Sequence, residues 1–527
     1  MAFDNVALNI DTVTLAVFVV LFAIFTFLGF YGYKWRQGDL RLLHEWALAG
    51  RRLGWFLVWF LLGADLFTAY TFVAVPSSMF ARGSLYFFAV PYVAWGFAVA
   101  LITMPKLWEY AKEHNLVTAS DFVKFRFGSK SLSIAVALVG TVAELPYIAL
   151  QIVGMQAVLT MLLIGLTHTV DPLIEEIALV VAFIILAAFT WTSGLRGATL
   201  TGVLKDVLIW TTVLVTLAAV FVTSGGFQSA FETAGLSHLT NVSSNVRSVL
   251  KGTTIPYGYL PITPSLAAAY ITLALGSAFA YFLYPHAVNA ALSASSTRNL
   301  KLSTALMPLY AVVLALLALF GVLIYNYPSA LAVVEEAKAG TLTVPALVSV
   351  TTPDWFVGLA FAAIFVGGLV PASVMAIAVG NLVARNIVGE VANLSPQTEL
   401  KIAKWVSFFI KFVALGFVFV VPTTYALALQ LFGTILMIQT LPAVFLGLFT
   451  RKLHPGSTLA GLAIGVGLGV YLTLYVNNFG QITKSLFQLG PVSLYIGILA
   501  LAVNLAVVLV GTALAYARGW RPSKVAT

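Results

Sequence analysis

The sequence predicts an all-α integral membrane protein, and its composition, its apolar runs and the placement of its basic residues support this fold class. Of the 527 residues, 61% are hydrophobic and 9% are charged, whereas a soluble domain is nearer half apolar and one quarter charged. A water-soluble chain of this composition could not cover its surface with polar groups. The sequence contains no cysteine, which excludes disulfide frameworks, thiolate metal sites and thiol catalysis.

About 13 apolar runs can each cross a membrane as a helix, since roughly 30 Å of hydrocarbon needs about 20 residues. Backbone amides in lipid must be satisfied within the segment, and the short alternating segments of a barrel are absent. The first run lacks a positive leading segment and a cleavage site, so it counts as a span. The predicted spans are 12–33, 54–81, 84–104, 131–163, 176–193, 197–222, 265–284, 302–325, 355–386, 402–421, 424–449, 456–476 and 490–516.

The Lys and Arg residues are distributed asymmetrically across these spans. With the N-terminus outside, 21 of the 28 fall in predicted inner loops or at the span ends that adjoin them (Arg385 and Lys404), five fall in outer loops, and Lys205 and Lys411 fall within spans. This asymmetry is the positive-inside signal. It predicts a multi-pass protein of the cell (inner) membrane with a cytoplasmic C-terminus. It also accounts for the formal charge of +9 without a nucleic-acid partner.

Spans two and seven carry features that interrupt helices. Gly63-Ala64-Asp65 lies in the middle of span two, and Gly276-Ser277 lies near the middle of span seven. The two spans run in opposite directions, and matched breaks of this kind mark the binding site of inverted-repeat transporters. We therefore expect breaks near 63–66 and 276–280, although glycines also simply allow close helix packing.

Five segments contain short sequence motifs. They are 49–55 (AGRRLGW), 119–128 (ASDFVKFRFG), 193–197 (SGLRG) followed by Lys205-Asp206, 441–449 (LPAVFLGLF) and 456–461, which begins and ends with glycine. Together they resemble the motifs of the sodium:solute symporters, a family that includes proline, pantothenate, sugar and monocarboxylate carriers. Tyr284-Pro285-His286, followed by 292–296 (LSASS), is most similar to bacterial monocarboxylate permeases. These permeases carry lactate, pyruvate, acetate and sometimes alanine.

The resemblance implies a leucine-transporter-like fold made of two inverted five-helix repeats. It also implies a secondary active transporter, rather than an enzyme, that works by alternating access and needs no cofactor. Its partners would be a small solute, protons and the lipid bilayer. The implied parts are 1–53 (peripheral first span and inner loop), 54–222 (first repeat), 223–264 (outer loop), 265–449 (second repeat) and 450–527 (two peripheral spans and the tail).

The sequence departs from the family where sodium-coupled members bind their ion. In those members the ion lies between the first break and two adjacent hydroxyl groups in the eighth core helix. Alignment puts Val370 and Pro371 in place of that pair, with Ser373 as the nearby hydroxyl, opposite Gly63 and Leu66 at the break. We therefore predict a degenerate sodium site, no bound metal, and uptake that is coupled to protons.

Three residues are candidates for proton coupling. An isolated carboxylate in the membrane core is costly to ionise, so Asp65 is the first candidate. It could instead stay ionised, held by half-helix amides. Glu144 is a second acid, and Pro146 suggests a kink that would let it face water. His286, near the inner end of span seven, is either a relay or a packing histidine.

Five residues are predicted to bind the substrate. Thr68 follows the first break, where free amides and a hydroxyl would hold a carboxylate. Tyr281 matches the aromatic gate of the family, and Tyr284 lies one turn later. Gln151 and Gln430 are amides in apolar spans that need partners. Each of these amides could also have a purely structural role.

The sequence is also compatible with other functions. The same scaffold could carry an amino acid, pantothenate or a sugar together with sodium. A membrane-bound sensor or enzyme is a third class, but no H-E-x-x-H motif or paired intramembrane acids support a protease. Lys205 and Asp206 are expected to pair near the inner face and to stabilise a closed inner gate.

Overall fold

A computed structural model of the chain describes residues 7–35, 38–64, 66–240, 264–420 and 426–522. This part consists of helices joined by short turns, together with a β-hairpin near its C-terminal end. The α-helices are α1 Thr12–Tyr31, α2 Leu43–Leu48, α3 Trp55–Ala64, α4 Val75–Arg82, α5 Ala89–Glu113, α6 Ala119–Phe127, α7 Lys130–Thr167, α8 Pro172–Ser193, α9 Leu195–Thr223, α10 Phe227–Thr240, α11 Pro264–Tyr281, α12 Pro285–Leu292, α13 Thr297–Leu306, α14 Pro308–Leu323, α15 Pro328–Glu336, α16 Thr343–Thr351, α17 Asp354–Asn381, α18 Gly389–Val391, α19 Pro396–Val420, α20 Ala426–Met437, α21 Gly447–Phe449, α22 Pro455–Val476 and α23 Ile496–Ala517.

Tighter and wider helical turns extend or link these helices. The 3₁₀ turns are Ala49–Arg51, Gly83–Phe88, Ile324–Asn326, Gly340–Leu342 and Ile438–Thr440, and the π-helical turns are Tyr70–Ala74, Leu382–Val388 and Pro442–Leu446. The hairpin pairs β1 Leu486–Leu489 with β2 Val492–Tyr495 in antiparallel register. Because β2 takes up the start of predicted span thirteen, that helix begins at Ile496 rather than at 490.

Within the described ranges, ten helices are long and apolar enough to cross a membrane, or eleven if one bent pair counts as a span. The prediction of about 13 spans is not confirmed at that number. Predicted span two is divided into α3, a π-helical turn and α4, and α3 is shorter than a spanning helix. The described helices also expose large apolar side chains such as Phe27, Trp95 and Val222, as a lipid-facing surface requires.

The core is organised around α17, whose apolar stretch is entirely buried. It packs against α1, α7, α9 and α19. A Cβ on Gly368 would lie 2.6 Å from the carbonyl oxygen of Gln151, so only glycine allows α7 and α17 to approach this closely. This contact positions the middle of α7, which carries several candidate site residues.

The second helix break differs from the prediction. It falls between Tyr281 and Pro285, where α11 and α12 meet at an angle of 47°. Pro285 disfavours helical geometry at the preceding residue, and Tyr284 is extended with φ −57° and ψ 134°. The expected break at 276–280 is wrong, since Gly276 lies inside α11. A Cβ there would lie 2.6 Å from the ring of Tyr495, so this glycine serves close packing.

The long loops are partly helical. The inner loop 105–130 contains α6, which Thr118 caps by accepting a hydrogen bond from the N–H of Asp121. The carboxylate of Asp121 binds Arg385 at 2.5 Å and fastens α6 to the end of the α17 region. The outer loop 223–264 begins with α10, and its residues 241–263 lie outside the described part.

Candidate substrate and coupling site

The first break separates α3, which ends at Ala64, from the π-helical turn that begins at Tyr70. Asp65, the predicted proton carrier, lies outside the described residues, so its role stays a prediction. Gly63 is required here by packing, because a Cβ would lie 2.0 Å from the phenol oxygen of Tyr310. The glycine therefore lets Tyr310, from α14, reach the buried side of the break.

Two backbone carbonyl groups at this break lack the donors they would have in a continuous helix. Those of Ala64 and Phe67 would normally accept from the N–H groups of Thr68 and Thr71. Instead, the N–H of Thr68 donates to Leu66 at 2.9 Å, and that of Thr71 donates to Thr68 at 3.0 Å. A buried carbonyl needs another donor.

Lys205, on α9, supplies that donor. Its Nζ lies 2.7 Å from the carbonyl oxygen of Phe67 and 3.3 Å from that of Ala64. It also lies 2.9 Å from Oδ1 of Asp206, whose Oδ2 accepts a hydrogen bond from Tyr310 at 2.5 Å. Both members of the ion pair are fully buried. The expected pairing is present, but it holds the helix break instead of an inner gate.

The α17 side of the break presents hydrocarbon. A Cβ on Gly202 would lie 3.7 Å from Cβ of Ala64 and 3.8 Å from Cγ1 of Val370, so these three residues meet. The hydroxyl of Ser373 makes a 2.9 Å hydrogen bond with Thr190 on α8. Val370 therefore offers methyl groups to the break, and the nearby hydroxyl is engaged elsewhere.

The backbone oxygens that face Lys205 are not those of Gly63 and Leu66, the residues named for the predicted degenerate sodium site. The carbonyl oxygen of Gly63 accepts hydrogen bonds from the N–H groups of Leu66 and Phe67, at 3.0 and 2.8 Å. The carbonyl oxygen of Leu66 accepts one from the N–H of Thr68, at 2.9 Å. The carbonyls that face Lys205 each lie one residue later.

Pro371 has no N–H, so it leaves the carbonyl of Gly367 without its helical donor. The Cβ position of Gly367 is 4.0 Å from the oxygen of Phe67.

The start of the second half-helix brings Thr68 and Gln151 together. Oε1 of Gln151 accepts a hydrogen bond from the N–H of Ala69 at 3.0 Å. Oγ1 of Thr68 accepts one from the N–H of Tyr70, also at 3.0 Å. Gln151 in turn donates to the carbonyl of Tyr147 at 3.1 Å. Two half-helix amides are thus held by neutral side-chain oxygens, in a fully buried position.

The second break groups the other predicted substrate residues. The hydroxyl of Tyr284 lies 3.2 Å from that of Thr434, which also accepts from the amide of Gln430 at 3.0 Å. Tyr281, at the end of α11, packs edge-on against Phe97 with ring centroids 5.2 Å apart. Tyr284 and Gln430 therefore share one partner, whereas Tyr281 packs against a different helix, α5.

Glu144 and His286 form one buried pair. Nδ1 of His286 lies 2.6 Å from Oε1 of Glu144, and the backbone N–H of His286 donates to the same oxygen at 3.3 Å. Glu144 is fully buried, and α7 runs through Pro146 without ending. The expectation that Glu144 faces water is therefore wrong, because the kink does not expose its side chain.

One face of α7 connects the two breaks. Glu144, Tyr147 and Gln151 follow one another at helical spacing, from the second break to the first. The ring of Tyr147 lies 5.5 Å from the rings of both Tyr284 and His286. The sequence analysis did not identify Tyr147, although its spacing between the two candidates was a usable signal. Tyr310 and Thr434 were also missed, since no sequence pattern links them to distant partners.

Comparison with known proteins identifies the family. The profile of the sodium:solute symporter family matches residues 46–465. This chain belongs to the sodium:solute symporter family. It is 38% identical over 511 residues to a monocarboxylate transport permease protein of Rhizobium johnstonii, which covers 96% of this chain and 98% of that protein. An uncharacterized symporter of Bacillus subtilis is 31% identical over 471 residues, which is 89% of this chain and 87% of that protein.

A solved structure shares the fold of this symporter. It is a Na⁺-coupled sialic acid symporter in a substrate-bound outward-open state, with a TM-score of 0.74 and 15% sequence identity. The match covers 98% of this chain and 99% of that chain, so the whole described architecture is comparable. The family and the two sequence relatives are transporters, so this chain is a multi-pass membrane transporter of solutes.

Proposed function

We propose that this symporter imports small monocarboxylates (lactate, pyruvate, acetate and alanine) by alternating access, with proton rather than sodium coupling. The observation that carries the proposal is the start of the second half-helix. There the N–H groups of Ala69 and Tyr70 bind the side-chain oxygens of Gln151 and Thr68. A single substrate carboxylate can replace these two neutral acceptors, because half-helix amides favour an anion. The Rhizobium relative, named as a monocarboxylate permease, supports the same class.

The charge of the site favours one carboxylate over two. The central parts of predicted spans two, four, seven and eleven contain no Lys or Arg. The ammonium of Lys205 already lies 2.9 Å from the carboxylate of Asp206. Hydroxyl and amide groups such as those of Tyr284, Thr434 and Gln430 suit one carboxylate with a small tail. They provide no full charge for a second carboxylate.

Competition in proteoliposomes tests the substrate class. Uptake of labelled lactate should be inhibited by pyruvate and acetate, and it should be little affected by succinate, glucose or pantothenate. Inhibition by glucose or pantothenate with none by pyruvate or acetate would contradict the proposal. That result would support the alternative of a sodium-coupled carrier for another small solute.

Proton coupling is supported by the hydrocarbon at Val370 and by the engagement of Ser373 with Thr190. Uptake should persist when choline replaces sodium at constant ionic strength, and an imposed inward proton gradient should drive accumulation. A steep dependence on sodium under these conditions would overturn this part of the proposal. The same liposomes without protein provide the leak control.

We assign the coupling proton first to Asp65. Asp65→Asn keeps the size of the side chain but cannot gain or lose a proton. Proton-driven accumulation should collapse, whereas substrate exchange across the membrane should partly survive. If Asp65→Asn accumulates substrate normally, the role belongs to the buried Glu144–His286 pair. Glu144→Gln and His286→Asn would then abolish accumulation.

The proposal includes 13 spans, inverted repeats at 54–222 and 265–449, and an N-terminus outside a cell (inner) membrane. The fold shared with the sialic acid symporter supports this arrangement. The absence of native cysteine makes labelling direct. Lys338→Cys, in a predicted outer loop, should react with an impermeant maleimide on intact cells. Lys301→Cys, equally exposed but in a predicted inner loop, should react only after permeabilisation.

A further inference from the structure

The ammonium group of Lys205 lies in a shell of oxygen acceptors. An ammonium has three N–H donors and no acceptor. Among the described residues, its neighbours include the carbonyl oxygens of Phe67 and Ala64, at 2.7 and 3.3 Å, and a carboxylate oxygen of Asp206, at 2.9 Å. The ring of Phe67 lies 6.0 Å from the same nitrogen. The side chain has no exposure, so water does not complete this shell.

The acceptors around Lys205 are those that a small monovalent cation prefers. Backbone carbonyls and a carboxylate are hard oxygen ligands. The carbonyls are available because the helix is broken, and the neighbouring face of α17 contributes the methyl groups of Val370 and no hydroxyl. A free ion would find these same oxygens here, but the ammonium already lies against them.

We propose that Lys205 is a tethered cation that closes the first helix break in place of a free alkali-metal ion. The inference rests on the proposed sodium-independent function and deepens it, because it names the group that makes an external ion unnecessary at this break. The charge is covalently attached to α9, so it cannot leave with the substrate. It therefore joins α3, α9 and, through Asp206 and Tyr310, α14 in every transport cycle.

Chemical rescue tests this assignment without substrate or gradient. Lys205→Ala removes the side chain beyond Cβ, which corresponds in shape and charge to propylammonium. The purified variant should unfold at a lower temperature than the wild type. Propylammonium should then raise its unfolding temperature progressively with concentration, by roughly 2–4 °C or more at concentrations well above its dissociation constant. The wild type should not respond, because its own ammonium occupies the site.

Lys411→Ala is the matched control for a general amine effect. Lys411 is also fully buried within a predicted span, but its Nζ contacts only Ser407 among the described residues, at 3.0 Å to the carbonyl. This variant should not respond to propylammonium. An equal response in both variants, or none in a folded Lys205→Ala protein, would overturn the inference.

The wild type provides a second measurement if Lys205→Ala does not fold. Replacing choline by sodium at constant ionic strength should leave its unfolding temperature unchanged, whereas a sodium-specific rise would show that the site takes a free ion. If propylammonium rescues Lys205→Ala but the protein takes up a different solute, only the proposed substrate class is contradicted. If uptake requires sodium but sodium has no effect on unfolding, only the proposed coupling is contradicted.

Discussion

The two helix breaks expose opposite ends of a half-helix, and each is met by the opposite charge. At the first, carbonyl groups of Ala64 and Phe67 bind the ammonium of Lys205. At the second, the N–H of His286, in the first turn of α12, donates to the carboxylate of Glu144. Helix C-termini carry partial negative charge and N-termini partial positive charge. Each break is therefore stabilised by a charge of complementary sign from another helix.

The two helix breaks differ in what happens when one member of the stabilising pair of side chains is lost. The first contains two opposite charges, Lys205 and Asp206, and removal of either breaks this buried ion pair. The second contains one acid and an imidazole, which can be neutral. The first break therefore depends on both members of its ion pair, whereas the hydrogen bond from the backbone N–H of His286 at the second does not require a charged imidazole.

The largest effect should follow the loss of Asp206. Asp206→Asn breaks the buried ion pair with Lys205, and breaking such a pair costs about 3–5 kcal/mol. Chemical unfolding in detergent should show this loss. Tyr310→Phe is the control, since it removes one hydrogen bond to the same carboxylate and should cost about 1.5–3 kcal/mol. Losses below about 1 kcal/mol for Asp206→Asn would contradict the description of the first break.

Gln151→Leu should have the next largest effect. The N–H of Ala69 would lose its acceptor in a buried position, at a cost of about 1–3 kcal/mol. The half-saturation concentration for lactate should also change, because Gln151 lies at the proposed carboxylate position. Gln156→Leu, five residues further along α7, is the comparison variant and should leave transport unchanged. Equal transport effects of both changes would remove Gln151 from the site.

Glu144→Gln should destabilise the protein less than Asp206→Asn. The amide oxygen can still accept the hydrogen bond from the N–H of His286, so about 1–2 kcal/mol should be lost. Glu144→Leu removes the acceptor altogether and should cost more. Thermal unfolding of the two variants measures the difference. If Glu144→Gln proves more damaging than Asp206→Asn, the contrast between the two breaks is reversed.

Tyr281→Phe should have the smallest effect. The ring, which packs edge-on against Phe97, is retained. The half-saturation concentration should therefore change by less than about fivefold, or about 1 kcal/mol. Tyr281→Ala removes the packing and should raise that concentration further, as expected if Tyr281 is the aromatic gate that the family resemblance implies. Equal effects of Phe and Ala at this position would assign the contribution to the hydroxyl.

Several features of this symporter followed from local sequence alone. Apolar runs predicted the helices, because a segment in lipid must satisfy its own backbone. Gly63-Ala64-Asp65 predicted the first break correctly, since small and polar residues in mid-span weaken a helix. The predicted break at Gly276 is wrong, because the second break lies at Pro285. Proline restricts the residue before it, so it was the stronger local signal.

What the tertiary structure alone decided is which distant residues meet. Glu144 and His286 were predicted separately, yet they form one pair across 142 positions of sequence. Lys205 was expected near the inner face, whereas it holds the first break through the carbonyls of Ala64 and Phe67. Such contacts depend on how each helix is rotated and how deeply it is set against its neighbours. Apolar composition is nearly uniform around these helices, so the sequence alone determined that they form, and only packing determined which faces they present to one another.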